Sequence, residues 1–293
     1  VYIGCRYIIT SHASYSQQEG LVLGEGEGDN WEPIDTLGRT RQEDKGPKVE
    51  TLEQHARRGL QWLQTTVLGK ESYGLARLAH WIERPMEEIK QLLTVAIICH
   101  DLGKATVKWQ RAAWKTLEMW LQEPGNIDTL TAEERQIVET GPEKVILARF
   151  PSLKDGRKEP PRPAHATVSA YVLWDFLRRR WGHWGEQAAL AMAHHHSVRA
   201  ASVPEYRLSP DVLATIEQLI NEAADVHFDK SQVEGRLISL SSTQLDKRMP
   251  PFEDEKLYTF YLFISRCLSL SDRMAAGGGK DAVLDYEKWT RNL

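Results

Sequence analysis

Apolar residues recur at helical spacing through most of the chain, and the segment after Pro85 shows this pattern clearly. Pro85 is a residue type favoured in the first turn of a helix, and continuing the apolar spacing brings His100 and Asp101 to the inner end. Gly103 then ends or bends the helix. The apolar positions of this face are Ile89, Leu92, Leu93, Ala96 and Ile97. We therefore predict a helix that carries a histidine and an aspartate towards the protein interior.

Two more segments place a histidine on an apolar helical face. An early helix has His55 on the same face as Leu52 and Leu63, and a later helix of residues 165–180 begins with His165. An imidazole in such a position faces the core, where it needs a polar partner.

Two segments nearer the end of the chain repeat the arrangement. A helix of residues 186–196 ends in the consecutive histidines His194, His195 and His196, and a late helix that begins near Leu257 carries Asp272 on its apolar face. Pro and Gly separate these helices, and the alternation typical of strands is scarce. We therefore predict an all-α fold for residues 50–293.

Residues 1–49 differ from the rest and are interpreted as an N-terminal extension or linker. They contain a predicted strand at residues 7–10 and a Gly-, Asp- and Glu-rich stretch at residues 20–30. The first residue is Val1 rather than Met, which suggests a piece of a longer polypeptide or a processed chain. The GGGK string at residues 277–280 lacks the Ser or Thr of a phosphate-binding loop, so we do not expect an ATP-driven motor.

The composition indicates a cytoplasmic globular protein. Apolar residues make up 41% of the 293 positions and charged residues 27%, and no apolar run is long enough to cross a membrane. The sequence opens with no signal-peptide pattern. Three widely spaced cysteines fit a reducing compartment. The net charge of −4 means that any nucleic-acid contact must come from a local basic patch.

The candidate chemistry lies in imidazoles and carboxylates that five distant segments direct inwards. Clustered histidines and a buried carboxylate are unfavourable in a protein core unless they are paired or bind a cation. A set of nitrogen and oxygen donors suits Mn, Fe, Co, Ni or Zn, and the lack of a CxxC pair argues against a structural zinc site. We therefore expect a functional metal centre.

Taken in order, these residues resemble the ligand pattern of the HD superfamily of metal-dependent phosphohydrolases. The chain is most similar in layout to the HD nuclease domain of the CRISPR-associated helicase-nuclease of type I systems, over roughly residues 50–272. The residues that carry the resemblance are His55, His100 and Asp101 in HDLGK, His165 in HATVSAYVLW, His195 and His196 in AMAHHHS, and Asp272 in SLSDR. The resemblance implies an HD-superfamily helical bundle with a dinuclear metal site.

By that resemblance, two divalent transition-metal ions (Mn, Fe, Co or Ni) share Asp101 as a bridging and catalytic ligand. The first ion would also have His55, His100 and Asp272, and the second would have His165, His195 and His196. Such a pair activates a water for attack at phosphorus, and Lys104 would act in catalysis on a phosphate oxygen. One departure concerns the family's glycines around the histidine pair, where this chain has His194 and Ser197. The pair His194 and His195 is therefore the alternative register.

A basic stripe begins beside the predicted metal site. Its members follow at spacings of four, three and four residues: Lys104, Lys108, Arg111 and Lys115. Trp109 and Trp114 flank it, and two interpretations are open. The stripe and tryptophans form a groove that binds single-stranded nucleic acid, or the stripe is a solvated helix face backed by two core tryptophans.

The function that the resemblance implies is hydrolysis of single-stranded DNA in type I CRISPR interference, an antiviral defence. The expected partners are a helicase module in cis or trans and the CRISPR RNA-guided surveillance complex. A small-molecule HD phosphohydrolase acting on nucleotides or cyclic nucleotides is the main alternative, which a closed pocket would favour. A degenerate HD module that serves only in docking is the third, which a failure to bind metal would favour.

Overall fold

Helices account for most of the secondary structure in the computed structural model. The structure describes residues 13–16, 20–23, 46–69, 73–153, 157–197, 199–202, 207–233, 245–248, 250 and 253–276. Within these ranges the α-helices are α1 Leu52–Thr66, α2 Tyr73–Ile82, α3 Met86–Cys99, α4 Val107–Leu121, α5 Ala132–Thr140, α6 His165–Trp181, α7 His183–His194, α8 Pro210–Ala224 and α9 Glu255–Ala276. The all-α fold class predicted from the sequence is confirmed.

Helix α1 begins after Thr51, whose side chain caps the first turn. Thr51 is its N-cap: the Thr51 hydroxyl accepts the Gln54 N–H at 3.1 Å, and the Gln54 side chain accepts the Thr51 N–H at 2.9 Å. This reciprocal capping satisfies two of the backbone donors that a helix start leaves open. Leu52, His55 and Leu63 are all buried, so the predicted face of α1 does point inwards.

Helix α3 is the centre of the main core. Every residue from Leu92 to Cys99 is buried, because α1, α2, α6, α7, α8 and α9 all pack around it. From Leu92 onwards the helix is therefore enclosed on all sides, not on one face as its spacing suggested. Its C-terminal end delivers His100 and Asp101 into the interior, and a short 3-10 turn at Leu102–Ala105 follows.

In the part of the chain that the structure describes, two small sheets interrupt the helical pattern. β1 (Ala13–Ser16) pairs antiparallel with β2 (Gly20–Leu23), and β3 (Glu50–Thr51) pairs antiparallel with β4 (Leu147–Arg149). Neither sheet was predicted from the sequence, because strands of two to four residues are too short to show an alternation of apolar and polar positions. The strand predicted at residues 7–10 and the GGGK string at residues 277–280 lie outside the described residues.

A second, smaller core lies beneath α4 and α5. Its larger members are Trp109, Trp114, Trp120, Leu117 and Leu147. Trp109 and Trp114 are 3% and 7% exposed, so they are core residues. The interpretation of these two side chains as stacking platforms for nucleic acid is therefore wrong.

Gly103 allows the turn after α3 to lie directly against the start of α6. A Cβ atom added at Gly103 would stand 2.1 Å from the carbonyl oxygen of His165. The Gly103 N–H donates to the Ser169 hydroxyl at 2.8 Å, and that hydroxyl donates to the His165 carbonyl at 3.1 Å. This close approach brings Asp101 next to His165.

Candidate metal centre

Asp101 lies at the middle of the site, and its two oxygens face different histidines. Oδ2 is 3.3 Å from His55 Nε2 and 3.6 Å from His100 Nε2. Oδ1 is 3.0 Å from His165 Nε2 and 3.5 Å from His195 Nε2. A carboxylate with one oxygen on each side can bridge two cations.

The donors on the Oδ2 side form a buried group. Its members are His55, His100, Asp101 and Asp272, whose ligand atoms all lie within 4.8 Å of one another. Oδ1 of Asp272 is 3.3 Å from His55 Nε2 and 3.8 Å from His100 Nε2. α1, the end of α3 and α9 supply these residues.

The donors on the Oδ1 side form a more exposed group. Its members are Asp101, His165, His195 and His196, which meet the same 4.8 Å limit. His165 Nε2 and His196 Nε2 are 3.1 Å apart, and His196 is exposed to solvent. The site is therefore open to solvent on the His196 side.

Backbone carbonyls fix the orientation of two of these imidazoles. His100 Nδ1 is 2.7 Å from the Ile97 carbonyl oxygen, and His195 Nδ1 is 2.6 Å from the Met192 carbonyl oxygen. A carbonyl only accepts, so each Nδ1 carries the proton and each Nε2 keeps its lone pair for a ligand. Histidines that bind metals are usually held in this way.

A cation fits this arrangement because several buried donor atoms have no other partner. Nε2 of His55, His100 and His195 and Oδ1 of Asp101 make no hydrogen bond to any residue in the described part of the chain. Buried polar atoms without partners are unfavourable. The donor set of imidazole nitrogen and carboxylate oxygen suits a divalent transition metal.

The carboxylates of the site are held in the charged form. Burial alone would raise the pKa of Asp101, but the Lys104 ammonium and the surrounding imidazoles hold it well below its usual range. Burial would likewise raise the pKa of Asp272, but His100 and His55 hold this pKa well below its usual range.

Two imidazoles of the exposed group, those of His165 and His196, are held neutral. Burial lowers the pKa of His165 despite the opposing effect of Asp101. Burial and the neighbouring His195 and His165 lower the pKa of His196 to about 4. Neutral imidazoles and ionised carboxylates are the protonation states that metal binding requires.

Lys104 forms an ion pair with the central carboxylate. Its Nζ donates to Asp101 Oδ2 at 2.6 Å, and its side chain is 12% exposed. The 3-10 turn places this ammonium at the edge of the site, three residues after Asp101. The predicted catalytic lysine therefore lies beside the predicted ligands.

His194 is directed away from both ligand groups. Its Nδ1 is 2.9 Å from the hydroxyl of Tyr261, and its Nε2 is 3.1 Å from Asp246 Oδ1. His195 and His196 are the two members of the triplet that lie with Asp101. This placement favours the register in which the pair is His195 and His196.

The remaining members of the basic stripe lie on α4. Lys108, Arg111 and Lys115 are exposed along one side of this helix, while Trp109 packs on the opposite side. The stripe is thus a solvated cationic surface that begins one short turn after Lys104.

Glu50 also contacts the site, and the sequence reasoning missed it. Its Oε2 is 3.3 Å from His55 Nδ1, and the residue is fully buried. No periodic pattern marks this residue, because it belongs to the two-residue strand β3. From the sequence, Glu50 is the first position of the predicted helical domain and has no predicted role in the site.

Comparison with known proteins assigns the chain to a family. The family described as "Cas3, HD domain" matches residues 48–276, which is more than half of the chain. A comparison with curated proteins gives no match. Among the helices of the described residues, none is both long and apolar enough to cross a membrane. The chain therefore belongs to the Cas3 HD-domain family, and it is a metal-dependent HD-type nuclease of CRISPR systems.

Proposed function

We propose that this nuclease hydrolyses single-stranded DNA with two divalent transition-metal ions that share Asp101. The observation that carries the proposal is the position of the Asp101 carboxylate, which has one oxygen facing each ligand group. The two groups each supply four donors and have only Asp101 in common. A single-metal site would not need donors on both sides.

The chain would hold one ion with the buried group and the other with the exposed group. Bound there, such ions supply an activated water and offset charge on the phosphate during in-line displacement. Their identity is proposed to be Mn, Fe, Co or Ni, all of which bind imidazole nitrogen and carboxylate oxygen.

Lys104 is proposed to contact the phosphate. Its ammonium is already at the edge of the site and partly exposed, so it can pair with a phosphate oxygen as well as with Asp101. A fixed cation next to the reacting group stabilises the charge that develops in the transition state.

The stripe on α4 is proposed to hold the DNA backbone. Lys108, Arg111 and Lys115 are exposed and begin near Lys104, so a strand along α4 would end at the metal centre. We propose that a helicase module, in cis or trans, and the CRISPR RNA-guided surveillance complex deliver the single strand in the cytoplasm.

Removing two cations from the stripe tests this substrate assignment. Lys108→Ala combined with Lys115→Ala should weaken binding of single-stranded DNA and reduce the salt slope by about one unit per lost phosphate contact. Hydrolysis of a small phosphodiester such as bis-nitrophenyl phosphate should not change, because the metal ligands are intact. The assays are salt-dependent DNA binding and cleavage of both substrates.

The matched control removes two exposed lysines outside α4, Lys144→Ala with Lys158→Ala, which is the same change in net charge. Equal DNA affinity and salt slope for the α4 variant and wild type would refute the groove. A small nucleotide substrate would then be the better assignment.

A further inference from the structure

A fully buried carboxylate lies just outside the proposed ligands of the buried group. Glu50 is 0% exposed, and its Oε2 is 3.3 Å from His55 Nδ1. The other oxygen of Glu50 forms an ion pair with the Arg58 guanidinium one turn further along α1. Each oxygen of this carboxylate therefore has one partner, and one of them is a proposed metal ligand.

The fold fixes Glu50 by its backbone on both sides. Glu50 pairs with Arg149 in the sheet of β3 and β4, and Leu52 donates its N–H to the Ile146 carbonyl at 2.8 Å. The carboxylate of Glu134 accepts the N–H groups of the two residues that precede Glu50. The strand thus delivers the carboxylate to His55 with little freedom to move.

The hydrogen-bond partner of Nδ1 is a carboxylate in His55 but a backbone carbonyl in two other histidines of the site. The Nδ1 atoms of His100 and His195 face neutral backbone carbonyls of their own helices. A carboxylate accepts a stronger hydrogen bond than a carbonyl does. It also makes the opposite ring nitrogen a better electron donor, and such partners commonly change metal affinity 10–100-fold.

We propose that Glu50 is a positioning residue that strengthens cation binding at the buried group. Glu50 accepts the Nδ1 proton of His55, and this directs His55 Nε2 towards Asp101 and Asp272, each 3.3 Å away. Arg58 holds the carboxylate in place. The inference rests on the proposed function, because it requires a cation at the buried group.

Binding of Mn²⁺ to the full chain tests the proposal, with each group measured separately. His196→Ala removes a ligand of the exposed group only, and Asp272→Ala removes a ligand of the buried group only. In the His196→Ala background, Glu50→Gln should raise the Kd for Mn²⁺ 10–100-fold. In the Asp272→Ala background, the same change should leave the Kd unchanged.

Two controls separate positioning from folding. Glu53→Gln removes the same charge from an exposed residue of α1 and should change neither Kd. Glu50→Gln leaves Arg58 without its counter-charge, so Glu50→Gln with Arg58→Met is measured as well, and metal-free melting reports the fold. If Glu50→Gln alone fails to fold, the double variant should show the same selective rise.

These measurements distinguish failure of the role of Glu50 from failure of the proposed function. Unchanged affinity in a folded variant, an equal loss at both groups, or unfolding of both variants without metal would overturn the role of Glu50. In the first two cases a wild type that still binds two ions keeps the proposed function intact. A wild type that binds no Mn²⁺ would overturn both.

Discussion

Replacing Gly103 by alanine should separate the two halves of the metal centre. The added Cβ would lie 2.1 Å from the His165 carbonyl oxygen and 2.8 Å from its carbonyl carbon. Non-bonded carbon contacts settle at about 3.5 Å or more, so the turn must move away from α6 by roughly 1 Å. Both atoms are backbone, and neither can rotate out of the way.

A movement of this size costs the fold little stability, but it exceeds the change in distance that metal ligands tolerate. Overpacking of this kind typically costs about 1–3 kcal/mol of stability, which a domain can survive. Oδ1 of Asp101 is now 3.0 Å from His165 Nε2, and metal–ligand distances tolerate changes of only about 0.2 Å. Gly103→Ala should therefore lose the ion at the exposed group and most of its cleavage, while the folded state persists.

Metal stoichiometry, cleavage and thermal melting of Gly103→Ala check this expectation. Gly74→Ala on α2 is the matched control, because no atom lies within 4 Å of its added Cβ. The control should bind metal normally and gain stability slightly, by up to about 1 kcal/mol. Two ions bound with normal affinity in Gly103→Ala would refute the reasoning.

Three further predictions concern the ligands. Asp101→Ala should bind neither ion tightly and cleave at background rate, with the helical circular-dichroism signal retained; normal cleavage would contradict its bridging role. His194→Ala should keep both ions but lose about 1–3 kcal/mol of stability, because a buried and a partly buried hydrogen bond disappear, whereas His196→Ala should lose one ion. Burial and the neighbouring imidazoles lower the pKa of His196 from its ordinary value of 6.5 to about 4 in the folded chain. The unfolded chain therefore binds more protons between these two pH values. The stability of metal-free protein should then fall as pH drops from 6.5 towards 4, and His196→Ala should flatten that dependence in melting experiments with chelator.

Helical spacing predicted the parts of the site that belong to long elements. His100 and Asp101 continue the apolar stripe of α3, and the structure places both at its buried end. Spacing alone could not decide whether the tryptophans of α4 pack in a core or contact a ligand. An amphipathic helix has the same sequence pattern in both cases. Only the packing of α4 over the second core decides between the two.

Contacts between distant elements were beyond the sequence pattern. Glu50 contacts His55 because β3 is fixed by its pairing with β4, and Asp246 contacts His194 across 52 residues of sequence. Such pairs depend on how elements dock, not on the periodicity of either one. The close approach at Gly103 is of the same kind, because the carbonyl of His165 on α6 leaves no room for a side chain at this position.

The position of Asp272 on α9 makes the buried group depend on the docking of that helix. α9 is the last described helix, and it packs on α1, α2, α3 and α7. A growing or truncated polypeptide that ends before α9 would carry every other proposed ligand yet lack one donor of the buried group. Such a polypeptide is therefore expected to bind a cation at the buried group only weakly.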